Sequence, residues 1–159
     1  MRRVQRLFRD ASGVNLLEAA IITPLLLLLT FAIVDFASVF YAWLALENGV
    51  SQATRYAVTG NQMADPNNPG TQLSRIDSIK QTLRDSTPTL TIPDQAITFQ
   101  HMPLSGGAWQ AGAGAPNEIQ KVSVDYTWNI MTPLIRPFFN GGQLPIHVES
   151  AMKNEDRFK

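Results

Sequence analysis

Cysteine is absent from the 159 residues, and histidine occurs only twice. The first absence excludes disulfides, thiol nucleophiles and thiolate metal sites. The second leaves His101 and His147 as the side chains whose ordinary pKa lies near neutrality. Neither a Gly-x-x-x-x-Gly-Lys phosphate loop nor a His-Glu-x-x-His zinc pair occurs. Thirteen basic residues balance thirteen acidic ones, so nothing in the overall charge points to nucleic acid. The last absence is local: from Ala19 to Val34 there is no charged residue at all.

That uncharged run is what the chain has in place of chemistry. A hydrocarbon core about 30 Å thick takes roughly twenty helical residues, and residues 14–34 supply them. Arg2, Arg3, Arg6 and Arg9 stand before the run. The positive-inside rule therefore assigns residues 1–13 to the cytoplasm as a basic leader and everything after the span to the far side of the membrane. Glu18 lies inside the span. An unpaired charge there costs about 2.5–3.5 kcal/mol on insertion scales, which marks it as a functional residue; the bland alternative is a carboxylate snorkelling at the cytoplasmic interface. A cleavable secretory signal fits less well, because the chain stays apolar past Asp35 and has no small-x-small cleavage pair before Ser51 to Ala53. Tyr41 and Trp43 fall where the outer headgroups belong, as anchors or as packing residues.

Apolar residues then recur at helical steps: Phe36, Phe40, Trp43, Leu46, Val50, Ala53 and Ala57. The spacing predicts one helix over residues 14–59, stopped by Gly60-Asn61, with Pro24 bending it and Gly49 weakening it by about 1 kcal/mol. Only its first half spans the membrane. Residues 60–152 form the external domain, and 153–159 a charged tail expected to fray. Within the domain, 61–70 reads as a surface loop. A second helix follows, capped by Thr71, with Leu73, Ile76, Ile79 and Leu83 inward, Arg75, Asp77, Lys80 and Arg84 outward, and Ser86-Thr87-Pro88 at its end. Ile97 and Phe99 mark a first strand, and 105–117 a mobile loop around Trp109. Residues 119–130 give the clearest strand, with Val122, Val124, Tyr126, Trp128 and Ile130 on one face. Residues 131–143 read as a long turn. Residues 144–152 form a last strand, with Ile146 and Val148 inward and Pro145 favouring an edge position. The fold class is α+β: a long N-terminal transmembrane helix continuing out of the membrane, a short second helix, and a small antiparallel sheet of three to four strands.

His101 and His147 both fall on these strands, and with Glu149 they offer two imidazoles and one carboxylate, a set without motif spacing. Solvated strand histidines are the simpler reading. Asp125 and Lys121 on the wet face of the long strand read likewise. No cofactor, metal or enzymatic activity is expected.

Ser12-Gly13-Val14-Asn15-Leu16-Leu17-Glu18-Ala19 resembles a type IV prepilin processing site. Further matches are Pro24-Leu25-Leu26-Leu27, Ile33-Val34-Asp35-Phe36, Ala45-Leu46-Glu47-Asn48, Ala53-Thr54-Arg55-Tyr56-Ala57 and Met152-Lys153-Asn154-Glu155. Together they resemble the TadE-like minor pseudopilins of tight-adherence (Flp) pilus systems. Asn15 is more polar than is usual there, and Asp35 stands where glutamate is common. The resemblance implies cleavage after Gly13 by a prepilin peptidase, a mature chain starting at Val14, and assembly roles for Glu18, Pro24 and Asp35. It also implies a pilin-like fold and, as partners, other pilin subunits and the Tad assembly platform in the bacterial inner membrane. A single-pass anchored binding or sensor module and, more remotely, a periplasmic hydrolase are the other classes open to this sequence.

Overall fold

The computed structural model describes the backbone of residues 11–158 and the side chains of residues 13–158. Residues 1–10, the arginine-bearing part of the leader expected over 1–13, lie outside the described residues. Helix α1, Ala11–Val58, is a single element of 48 residues that includes Pro24. At ~1.5 Å per residue it is about 70 Å long. Its end is a left-handed cap: Thr59 and Gly60 donate their N–H groups to the carbonyls of Tyr56 and Ala57, and Gly60 takes a φ of +70° that costs glycine little.

The chain falls into two compact units, one with α1 as far as Ser38 and residues 129–144, the other with residues 39–128 and 145 onward. In the first unit, the segment after Asn129 folds through the short 3-10 turns Arg136–Phe138 and Asn140–Gly142. The Ile130 N–H donates to the Gly142 carbonyl at 2.9 Å, and Arg136 Nε donates to the Ile130 carbonyl at 2.8 Å. Gly142 has a φ of +72°, and a Cβ there would lie 2.9 Å from Arg136 Cγ.

In the second unit, α1 and helix α2, Arg75–Ser86, contribute to one core with a four-stranded sheet of order β2-β1-β3-β4. The strands are β1 Ile97–Met102, β2 Gln110–Ala111, β3 Ile119–Asn129 and β4 Gln143–Lys153. Antiparallel pairing of Ile97 with Val124 and Phe99 with Val122 fixes a register that turns all four side chains to one face. They meet Ile146 and Val148 of β4, Ile79 and Leu83 of α2, and Ala42, Leu46, Val50, Ala53 and Ala57 of α1.

Five local expectations are corrected. The covered stripe on α1 runs through Val39, Ala42, Leu46, Val50, Ala53 and Ala57, whereas Phe36, Phe40 and Trp43 are exposed. The cap of α2 is Ser74, whose hydroxyl accepts from the Asp77 N–H at 3.1 Å and bonds the Asp77 carboxylate at 2.6 Å. Thr71 instead closes the preceding loop through Asn68. Gly49 is a contact point: a Cβ there would lie 2.4 Å from Thr87 Cγ2, so glycine admits the end of α2. The loop around Trp109 holds the edge strand β2, paired with Gln100 and His101; two residues are too few to show alternation. The tail is held as well. Asn154 is buried and donates its N–H to the Glu118 carbonyl at 2.8 Å, and the Glu155 N–H donates to the Val58 carbonyl at 3.0 Å.

Candidate functional site: the apolar helix and its carboxylates

The Gly13–Val14 bond lies in α1. Val14 is half exposed, and Glu18, one helical turn further on, is exposed. Because Cα–Cβ bonds in a helix tilt toward its N-terminus, the Glu18 side chain leans toward the level of Val14. From Leu16 to Val34 every large apolar side chain is exposed. None of the most apolar stretch is buried, and α1 is long and apolar enough to cross a membrane. A soluble helix apolar on all sides would have to be covered.

Two hydroxyls of α1 are satisfied within the helix, in a way that suits hydrocarbon. The Thr30 hydroxyl donates to the Leu26 carbonyl at 2.8 Å, and Ser38 to the Val34 carbonyl at 2.9 Å. Pro24 has no N–H to give, which leaves the Ala20 carbonyl without its usual helical donor.

Asp35 ends the uncharged run and is only 2 % exposed. Its Oδ1 accepts the Met131 N–H and its Oδ2 the Thr132 N–H, both at 3.1 Å. A buried carboxylate needs such donors. Here they come from the backbone, so Asp35 fastens the segment after β3 to α1. In the sequence Asp35 stands out only through the family resemblance, as an assembly residue. Backbone donors 96 and 97 residues away leave no signal in side-chain pattern.

A second polar centre has no counterpart among the sequence expectations. Arg75, expected to face outward, is partly buried at the start of α2. Its Nη1 donates to the Gly114 carbonyl at 2.6 Å; its Nη2 donates to the Ala57 carbonyl at 2.9 Å, to Gln120 Oε1 at 2.9 Å and to Asn154 Oδ1 at 3.4 Å. The guanidinium carbon sits 4.1 Å from the centre of the Phe158 ring. Burial lowers the Arg75 pKa from its ordinary value, though an arginine remains charged. Four chain segments thus converge on one cation. The available cue is the pair of carboxamides, Gln120 and Asn154, at positions otherwise facing a core.

The two histidines lie on different strands with β3 between them. His101 Nε2 is 3.7 Å from Glu118 Oε2, while His147 Nδ1 is 2.7 Å from Asp125 Oδ1 and its Nε2 3.6 Å from Glu149. The hydrogen bond with Asp125 raises the His147 pKa above 6.5, with Glu149 adding to it against a desolvation effect. Lys121 pairs with Glu149 at 3.3 Å and lies 4.5 Å from the Trp109 ring centre. Asp125, His147 and Glu149 thus form a charged, solvent-exposed patch, whereas the expectation of a solvated His101 is corrected: it follows Ile97 and Phe99 in the strand alternation, on the covered side of the sheet, with its side chain only 18 % exposed. Among the described residues no group of three His, Asp or Glu side chains is arranged to hold a metal. An open cleft of about 420 Å³ is lined by Leu44, Glu47, Asn48, Ser51, Glu149 and Ser150.

Compared with known proteins, residues 13–55 match the model of the TadE-like protein family. The match begins at Gly13, includes Glu18, Pro24 and Asp35, and ends inside α1. Searches of the curated proteins and of the solved structures found no match.

Proposed function

We propose that this chain, a TadE-like protein through its first helix, is a minor pilin of a Tad (Flp-type) pilus, held in the bacterial inner membrane before assembly. The observation that carries the proposal is a helix that contains the matched segment from Gly13 onward and whose large apolar side chains from Leu16 to Val34 are uncovered, with Glu18 as the fifth residue counted from Val14. The N-terminus is cytoplasmic and the α+β domain periplasmic, an orientation supported by Arg2, Arg3, Arg6 and Arg9. A prepilin peptidase cuts after Gly13, where a missing side chain lets the catalytic groups approach the backbone. The new ammonium of Val14 then needs a counter-charge in a low-dielectric setting, and Glu18 leans toward the helix N-terminus to supply it, to its own chain or to a neighbouring subunit. Pro24 and Asp35 serve assembly by shaping α1 and fixing what packs at its outer end. The subunit works in adhesion, in secretion-like export or in pilus initiation, with other pilins and the Tad assembly platform as partners.

The test is Glu18→Ala as the sole copy in a pilus-forming host. It should insert normally, because an unpaired charge in lipid has been removed. It should be lost from the sheared surface fraction, since breaking a buried ion pair costs about 3–5 kcal/mol. Normal recovery with filaments would remove the assembly role. An alkaline phosphatase fused after Lys159 should be active; an inactive fusion would contradict the orientation. The second reading, an anchored binding or sensor module, is favoured by the cleft beside Glu47 and Glu149, and predicts an uncut leader.

A further inference from the structure

The segment that Asp35 fastens to α1 carries an apolar surface with no role in the domain core. Met131, Leu134 and Phe138 are 58, 61 and 78 % exposed, although Ile130 and Ile135 between and beside them are buried. Among the described residues Phe138 is the most exposed of the large apolar side chains. The level of this surface along the helix is fixed by short bonds, because the N–H groups of Met131 and Thr132 lie 3.1 Å from the Asp35 carboxylate. Counted from Val14 at ~1.5 Å per residue, Asp35 stands about 31 Å up the helix, close to the thickness of a hydrocarbon core. The same helix face is already partly covered at Ala32, one turn nearer the membrane centre. The helix residues near this level, Phe31, Val34 and Phe36, are themselves exposed and apolar, so α1 offers lipid-facing surface at the same level as the loop.

We infer that residues 131–139 form a membrane-seated foot: Met131, Leu134 and Phe138 dip into the outer interface of the bilayer beside α1, and Asp35 sets their depth. The occupant of this surface is lipid. Several features fit that assignment. Phe and Leu side chains of surface-lying segments bury their apolar face about 5–10 Å into the headgroup and acyl boundary. The backbone here is irregular, which keeps it out of the hydrocarbon itself and at the interface, while the bonds from Ile130 to Gly142, from Arg136 Nε to Ile130 and from Met131 and Thr132 to Asp35 pair the polar groups nearest α1. Pro133 and Pro137 within the segment have no N–H to satisfy. The inference rests on the reading of α1 as a membrane span, and the test separates the two.

The chain has no cysteine, so single-cysteine variants of the full-length protein can carry an environment-sensitive fluorophore without background. The variants are Leu134→Cys and Phe138→Cys in the foot, Val34→Cys and Leu25→Cys in the span, and Leu104→Cys as an exposed position in the domain. Each is reconstituted into phosphatidylethanolamine–phosphatidylglycerol vesicles containing lipid spin-labelled either near the headgroup or near the chain end. The foot positions should be quenched by the headgroup-proximal label about as strongly as Val34→Cys and well above Leu104→Cys, while Leu25→Cys responds to the deep label. Quenching at Val34 and Leu25 without quenching at Leu134 and Phe138 would overturn the foot and leave the span intact. Blue-shifted but unquenched fluorescence at the foot would mean that a second copy of the chain covers it, which also overturns the proposal. No quenching anywhere would overturn the span, and the foot with it.

Discussion

Leu26 and Leu46 sit in the same helix, twenty positions apart, yet one is 58 % exposed and the other fully buried. From Leu16 to Val34 every large apolar side chain of α1 is exposed, on all sides of the helix; from Val39 onward a single stripe faces α2 and the sheet. The difference shows that hydrophobicity alone does not define a core. A run apolar all round asks for lipid or for other helices, whereas a stripe asks for one protein partner. The polar residues follow the same division. Asp35 takes its donors from backbone in the first unit, and Arg75 gives its protons to carbonyls and carboxamides in the second.

The largest expected effect tests that contrast directly. Leu46→Ala should destabilise the domain by about 2–5 kcal/mol, as truncation in a closed core does, while Leu26→Ala should leave it unchanged. Urea unfolding in detergent, followed by tryptophan fluorescence, measures both. Equal losses would erase the distinction between the halves.

Arg75→Ala comes next. It strips Gln120 Oε1, Asn154 Oδ1 and two carbonyls of a common donor, and each buried group left unsatisfied costs about 1–3 kcal/mol. The unfolding midpoint should fall sharply, and amide exchange at Asn154 and Glu155 should rise with it. Arg75→Lys should restore only part of the loss, since an ammonium cannot reach the same acceptors as a planar fork. A midpoint unchanged in Arg75→Ala would reduce the hub to a surface contact.

Asp35→Ala should act more locally, at about 1–3 kcal/mol for two backbone donors left without an acceptor. Hydrogen exchange at Met131 and Thr132 should accelerate while the core amides of β1 and β3 keep their protection. Uniform acceleration would mean that the two units unfold as one.

The smallest effect concerns His147. Its raised pKa means that protonation favours the folded state. That contribution is complete below the unfolded value near 6.5 and fades as pH rises through the higher folded value. The side chain is more than half exposed, so the gain is small. NMR titration should give a pKa above 6.5 for His147 and a lower one in Asp125→Asn; identical values would make the Asp125 contact a surface coincidence.

The long helix, its stop at Gly60 and the faces of β1, β3 and β4 are legible in the sequence because each rests on local periodicity carried by strong signals. Val122, Val124 and Phe99 alternate with polar residues, and the register follows. The stripe on α1 is displaced by about one residue at its start because Phe36 and Phe40 outweigh the covered Asp35, Val39 and Ala42 on any hydrophobic count. Aromatic residues near a membrane boundary need no protein cover. Arg75 misleads for the opposite reason: a charged residue among Asp77, Lys80 and Arg84 looks solvated, and its acceptors come from Ala57, Gly114, Gln120 and Asn154, scattered along the chain. Ser74 and Thr71 are equally good caps by type, and only the closed loop through Asn68 decides between them. In the site itself, Gly13, Val14 and Glu18 can be named because their meaning lies in order along the chain. The clamp that Asp35 makes cannot, because its partners are backbone N–H groups.

The claim on which the account turns is that α1 is a processed pilin helix, and one measurement reaches it most directly. Surface filaments sheared from a host with a working prepilin peptidase are purified, and the N-terminal peptide of this chain is identified by mass spectrometry. The account predicts that the chain is recovered with the filaments and begins at Val14. Recovery only in the membrane fraction, with Met1 and the arginine leader intact, would contradict it.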